Sequence, residues 1–268
     1  VKLLLMDQEG QVVNIVSREY PLSFPHPGWS EQNPEDWWEQ SKEGIKELIS
    51  KIDATEVAGI SFGGQMHGLV ALDDKDEVIR PAILWNDGRT TKECDYLNQV
   101  IGKERLSAYT ANISFTGFTA PKVLWMKNNE PENFAKIHKI MLPKDYLAFR
   151  LSGNYSTDVS DASGTLFFDV KNRCWSEEMC EICSIKTSWL PKVYESYEEV
   201  GTLLPELAKE LGVSDQVKIV AGAGDNAAAA VGTGTVGDGA CNISLGTSGT
   251  VFISSDKFGV DENNALHS

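Results

Sequence analysis

The run Val217-Lys218-Ile219-Val220 gives way to Ala221-Gly222-Ala223-Gly224-Asp225-Asn226 and then to the alanine-rich residues 227–231. An apolar run of strand length, a turn with alternate glycines and a string of good helix formers spell strand, tight turn, helix. A chain built on such units folds as α/β, with sites in the loops at its strand ends. This turn leaves one carboxylate, Asp225, at the helix start. Further on, Leu245-Gly246-Thr247-Ser248-Gly249-Thr250 lies between apolar runs at 240–245 and 251–253 and reads as a hairpin with hydroxyls at its tip. Glycines let successive backbone N–H groups point into one concavity, which suits phosphate oxygens. A carboxylate beside one turn and a phosphate cradle in the other fit a hydroxyl activated next to a nucleotide. Each motif also has a plainer reading. Aspartate is a common helix cap, and a Gly-Thr-Ser-Gly turn is often only a turn.

The rest of the chain alternates in the same way. Asn33-Pro34-Glu35-Asp36 is a helix start, with a cap residue, proline at the first position and acids in the first turn. Trp38, Ile45, Leu48, Ile49 and Ile52 continue it as an apolar stripe, and the pair Trp37-Trp38 reads as packing. Residues 57–62 form a short buried strand that enters the glycine-bounded loop Gly63-Gly64-Gln65-Met66-His67-Gly68, and 69–72 form the next strand. Helices are expected over about 90–100, 121–127, 144–151 and 197–211. Asp87 and Arg89 read as a turn with a local ion pair. Asp158, Asp161 and Asp169 read as solvated acids near strand ends, and Lys122 has no role that the sequence reveals. Four glycines between Gly232 and Gly239 mark a domain boundary, giving domains of 1–236 and 237–268.

Charge narrows the partners. The 268 residues carry a formal net charge of −15, with a pI near 4.7. Such an acidic surface repels nucleic acid and anionic membranes, so neither is an expected partner. A bound nucleotide must then be held by local backbone dipoles and Mg²⁺. No apolar run approaches the ~18 residues of a membrane span. Five cysteines, odd in number and scattered, read as reduced thiols of a cytoplasmic protein. Cys180-Glu-Ile-Cys183 lacks a nearby fourth ligand for a metal, and no metal ligand is assigned.

Five segments in order carry a resemblance: Gly59-Ile-Ser-Phe-Gly-Gly-Gln-Met-His-Gly68, Leu84-Trp-Asn-Asp-Gly-Arg89, Phe118-Thr-Ala-Pro-Lys-Val-Leu-Trp125, Gly222-Ala-Gly-Asp-Asn226 and Ser244-Leu-Gly-Thr-Ser-Gly249. Together they resemble the FGGY carbohydrate kinases, and the Gln-Met-His-Gly loop is similar to the branch that phosphorylates xylulose. The resemblance implies an RNase H-like fold of the kind shared by actin, hexokinase and a class of heat-shock chaperones, in which two such domains close on ATP. It implies ATP with Mg²⁺ as cofactor, and a small sugar as substrate, D-xylulose or else another ketose or polyol. It admits a homodimer, and it leaves open a non-catalytic sugar-binding module of the same fold. Asp225 matches the proton acceptor, and Met66, His67 and Asn226 match sugar contacts. Gly246, Thr247 and Ser248 match the second phosphate loop. The family's first phosphate loop would precede Val1, and most of the second domain would follow Ser268. The chain thus reads as a fragment, holding the sugar half and the first hairpin of the nucleotide half, and by itself inactive.

The residues themselves carry the chemistry. A sugar hydroxyl attacks phosphorus only as its proton leaves, and a carboxylate within hydrogen-bond reach can take it. The helix dipole is expected to keep Asp225 ionised. His67 offers one donor and one acceptor to a polyol, and Met66 an apolar wall to its carbons.

Overall fold

The helix Pro34–Ile49 shows how local chemistry sets these elements. Asn33 stands before it in an extended conformation and accepts the N–H of Glu35 at 3.2 Å. Pro34 takes the first position, where a missing N–H costs nothing. Trp37, Trp38, Leu48 and Ile49 turn one face inward. The computed structural model describes residues 1–246, 249–261 and 266–268.

The apolar run at 69–72 organises the interior. Leu69 and Ala71 belong to one core cluster, with Ile83, Phe118, Val123 and Phe167; Val70 and Leu72 belong to another, with Trp37, Leu84, Tyr146 and Ile219. Successive strand side chains point to opposite faces, so a strand buried on both sides is apolar throughout. Val70, Leu72 and Ile83 are wholly buried. Each such side chain contributes about 1.5–3 kcal/mol relative to exposure. The strand Val70–Leu72 pairs antiparallel with Lys139–Met141.

The strand Lys218–Val220 pairs parallel with Gly59–Ile60 and antiparallel with Glu199–Thr202. Just beyond, Ala223–Gly224 pairs parallel with Gly63–Gly64. Two chain segments therefore run together in the same direction and end side by side. The helix Pro143–Ser152 packs beneath them. An antiparallel hairpin, Cys241–Leu245 with Gly249–Ile253, follows the helix Asp225–Gly232 and leaves Ile243, Leu245, Val251 and Ile253 exposed. Among the described residues no helix is long and apolar enough to cross a membrane.

Three expectations need correction. The span 197–211 is not one helix: Glu199–Thr202 is a strand and Pro205 restarts the chain as the helix Pro205–Leu211. Gly201, at φ +156°, and proline at a first helical position both favour that break. The helix expected over 90–100 begins at Thr91 but widens into a π-type turn over Tyr96–Gly102. Asp158 and Asp161 are not solvated acids but wholly buried ones, because the buried ammonium of Lys144 lies between them.

Candidate active site

The parallel pairing at Gly63–Gly64 and Ala223–Gly224 delivers two loops to one place. One continues into Gln65-Met66-His67, the other into Asp225-Asn226. Met66 is buried and lies across Gly224, where an added Cβ would meet its Cγ at 2.8 Å and its sulfur at 3.0 Å. Asn226 Nδ2 stands 3.9 Å from the same sulfur. Sequence matching thus names four residues that the fold gathers, although they lie about 160 positions apart.

Asp225 is the first residue of the helix Asp225–Gly232, and Gly224 occupies the cap position. The plain capping role therefore does not describe Asp225. Its carboxylate is exposed and its Oδ1 accepts the N–H of Asn226 at 3.0 Å. Partial desolvation nevertheless raises its pKa above the ordinary aspartate value, against the lowering effect of that N–H. Desolvation outweighs the stabilisation expected from the helix start, and it makes Asp225 a better proton acceptor once ionised.

His67 occupies the left-handed backbone region at φ 69°, a conformation costing about 1 kcal/mol for a residue with a Cβ. Its Nδ1 lies 2.8 Å from the carbonyl oxygen of Gly164. A carbonyl only accepts, so Nδ1 carries the hydrogen and Nε2 is left as an acceptor. Burial, reinforced by the charges of His267 and Lys122, lowers the pKa of His67 to about 3. At neutral pH the ring is therefore uncharged. It offers a ligand one acceptor, which is narrower than the donor-and-acceptor role expected from sequence.

Gly164, Phe118 and His267 pack against the ring. It stacks on Phe118 with centroids 4.8 Å apart, and Thr119 Oγ1 donates to the His67 carbonyl at 3.1 Å. His267 lies 5.4 Å from it, centroid to centroid, while Ser268 bonds Asn112. Gly164 touches it so closely that a Cβ there would fall 2.5 Å from Cε1 and 2.6 Å from Nδ1. Lys122, unexplained by sequence, is wholly buried and donates to the carbonyls of Thr116, Gly117 and Phe118. It braces the turn that presents Phe118. Burial lowers its pKa to about 7, against the opposing effect of the Asp87 charge.

Other expected features fall elsewhere. Arg89 and Asp87 form the ion pair anticipated, at 2.7 Å, but it is buried, and Arg89 also reaches Glu31 at 2.8 Å and lies over Trp29. A cavity of about 670 Å³ beside Arg89, Glu93, Trp125 and Asn128 shares no lining residue with the Met66–Asp225 cluster. Gly246 is exposed just past the strand Cys241–Leu245, and Thr247 and Ser248 lie outside the described residues. Among the described residues no group of three or more His, Cys, Asp or Glu is placed to hold a metal ion. All five cysteines are free, and burial raises the pKa values of the Cys180 and Cys183 thiols.

The model of the FGGY family of carbohydrate kinases, N-terminal domain, matches residues 1–232. Xylulose kinase of Escherichia coli (strain K12) is 44% identical over 268 residues, covering 100% of this chain and 55% of the relative. The crystal structure of xylulose kinase from Brucella ovis superposes with a TM-score of 0.95 at 41% identity, over 99% of this chain and 55% of that one. Gluconate kinase from Lactobacillus acidophilus superposes at 0.94 with 30% identity, over 98% of this chain and 54% of its own. The chain therefore spans about half the length of the relatives it matches.

Proposed function

Because the chain belongs to the FGGY family of carbohydrate kinases, we propose that it is the sugar-binding half of an ATP-dependent kinase that phosphorylates the terminal hydroxyl of D-xylulose. The observation that carries this reading is the convergence of Met66 and His67 with Asp225 and Asn226 at the paired ends of Gly63–Gly64 and Ala223–Gly224. Xylulose as the sugar is favoured by the 44% identity to the Escherichia coli xylulose kinase. The gluconate kinase superposes almost as well, so backbone shape alone does not choose the sugar. We place the boundary between the sugar domain and the nucleotide domain at residues 236/237. Five free cysteines suit work in the cytoplasm.

Each group has a task in the reaction. Neutral His67 accepts a hydrogen bond from a sugar hydroxyl through Nε2, Asn226 supplies an amide, and the Met66 thioether lies along the carbon chain. Asp225 takes the proton of the attacking hydroxyl as its oxygen bonds to the γ-phosphorus of ATP. The bond from that phosphorus to the bridging oxygen breaks, and ADP leaves. A loose transition state asks for late proton removal, which a carboxylate provides. ATP would be cradled by Gly246, Thr247 and Ser248 together with groups of a second domain. Mg²⁺ enters as the nucleotide's companion, and no step is assigned to it because the described residues offer it no ligand cluster.

In-line transfer needs the donor phosphorus about 3–3.5 Å from the hydroxyl, a positioning worth ~7–11 kcal/mol of barrier. One domain of two does not supply it. The test is calorimetric titration of the 268-residue chain with D-xylulose, D-gluconate and glycerol, alongside an ADP-coupled assay. The expected result is weak binding with D-xylulose preferred and no ADP release. Preference for gluconate or glycerol would overturn the substrate, and robust xylulose-dependent ADP release would overturn the half-enzyme reading.

A further inference from the structure

Lys144 is shielded from solvent. Its ammonium is buried and lies 2.6 Å from Asp145, 2.9 Å from Asp158 and 3.4 Å from Asp161. One cation among three carboxyls would leave the cluster with two excess negative charges if all ionised. Burial instead raises Asp161 well above the carboxylate range, and the ammonium at 3.4 Å offsets this only in part. Asp158 shifts the other way, since Lys144 and two serine hydroxyls stabilise its charged form against burial.

The two serines lead to the active site. Asp158 Oδ2 accepts the hydroxyl of Ser160 at 2.5 Å and that of Ser196 at 2.6 Å. Ser160 Oγ in turn accepts the backbone N–H of Gly224 at 3.0 Å, one residue before Asp225. The Ser196 carbonyl accepts the N–H of Gly222 at 3.0 Å. On its other side Lys144 carries the sugar loop: a Cβ on Gly64 would sit 2.5 Å from Lys144 Cβ. Asp158 also caps the helix Val159–Ser163, which ends at Gly164, the carbonyl partner of His67. One buried cluster thus touches the turn before Asp225, the loop that carries Met66, and the clamp on His67.

We propose that Lys144, acting through Asp158 and Ser160, is a positioning residue for phosphoryl transfer, setting the turn that carries Asp225 against the sugar loop seated at Gly64. The proposal rests on the kinase reading above. Lys144 does not touch the reacting atoms. It fixes Asp158, Asp158 orients the Ser160 hydroxyl, and that hydroxyl leaves its lone pair for Gly224. A misplacement on the order of 1 Å at a reacting group costs about 10²-fold in rate.

Ser160→Ala is the sharpest perturbation, because it removes the acceptor for Gly224 and leaves Lys144 and its three aspartates in place. In the complete kinase we expect kcat to fall about 10- to 100-fold while the KM values for D-xylulose and ATP stay within about twofold. Ser160→Thr, which keeps the hydroxyl, should restore most of kcat. Lys144→Met is expected to destabilise the fold by leaving buried carboxyls unpaired. Lys144→Met with Asp145→Asn removes the ammonium together with its nearest carboxyl; it should recover melting temperature but not kcat. Hydrogen exchange at the Gly224 amide gives a readout free of catalysis, and its protection should drop in Ser160→Ala. If wild-type kinase is active and Ser160→Ala retains normal kcat, the relay is wrong and the kinase reading stands. Full activity in the double variant would likewise reduce Lys144 to charge balance. If the wild-type kinase phosphorylates no sugar, the kinase reading fails and the positioning role falls with it.

Discussion

Gly164→Ala isolates the contact that fixes His67. Gly164 has φ −80° and ψ 1°, values open to any residue, so alanine introduces no backbone strain. Entropy of the unfolded chain would by itself favour alanine by about 0.4–1 kcal/mol. The added methyl, however, would stand 2.5 Å from His67 Cε1, 2.6 Å from Nδ1 and 3.1 Å from the Met66 methyl. Ordinary carbon contacts lie near 3.5–4.0 Å, so the ring must retreat by roughly 1 Å. Retreat weakens the 2.8 Å bond to the Gly164 carbonyl and moves Nε2 from its place. Overpacking of this kind costs about 1–3 kcal/mol of stability. Loss of one ligand hydrogen bond costs about 0.5–1.5 kcal/mol, or roughly 2- to 13-fold in Kd for D-xylulose. Calorimetry gives the affinity and a denaturant melt the stability. Gly232→Ala, at a position with nothing within 4 Å of the new Cβ, is the matched control and should leave both nearly unchanged. A folded Gly164→Ala chain that binds D-xylulose as tightly as wild type would refute the assignment of His67 to the sugar.

Three further outcomes are expected. Asp225→Asn in the complete kinase should lower turnover by about 10²-fold or more with little change in sugar affinity, as measured by coupled ADP release; near-normal turnover would remove the base assignment. His67→Ala should weaken D-xylulose binding by about 1–3 kcal/mol and spare nucleotide affinity, checked by titration with each ligand. His67 also links stability to pH. Unfolded imidazole takes a proton near 6.5 and the folded ring not until about 3, so the unfolded state binds more protons between those values and stability falls as pH falls through that window. Between pH 6.5 and 5 this amounts to about 2 kcal/mol, and denaturant melts of His67→Asn should show that much less pH dependence.

How much of this was legible in sequence depended on range. Asn33-Pro34 announced its helix because a cap and a first-turn proline act within a few residues. The strand at 69–72 was legible as an apolar run, though only packing reveals that it serves two clusters. Met66, His67, Asp225 and Asn226 were named by motif, and the fold gathers them through a two-residue parallel pairing that no local pattern announces. Asp158 and Asp161 were misplaced at the surface because a carboxylate is buried only with a partner, and theirs, Lys144, is more than a dozen positions away. Asp158 before a short helix was the one available signal, as a cap. Gly164 was silent because it acts by contact with His67, remote in sequence; Lys122 bonds carbonyls only four to six positions away, but a lysine spaced like any other does not announce that its ammonium is folded back and buried under a turn.

Methionine-methyl NMR tests the sugar site most directly. The chain has five methionines, and their surroundings differ sharply. Met126, Met141 and Met179 are sealed in the core, Met6 is exposed on the hairpin that Lys2–Met6 forms with Val12–Ser17, and Met66 lies against Gly224 and Asn226. Titrating D-xylulose into chain labelled with ¹³C at its methionine methyls should shift the Met66 signal saturably and leave the other four in place. A Met66 signal that stays fixed while calorimetry records binding would place the sugar elsewhere and contradict the account.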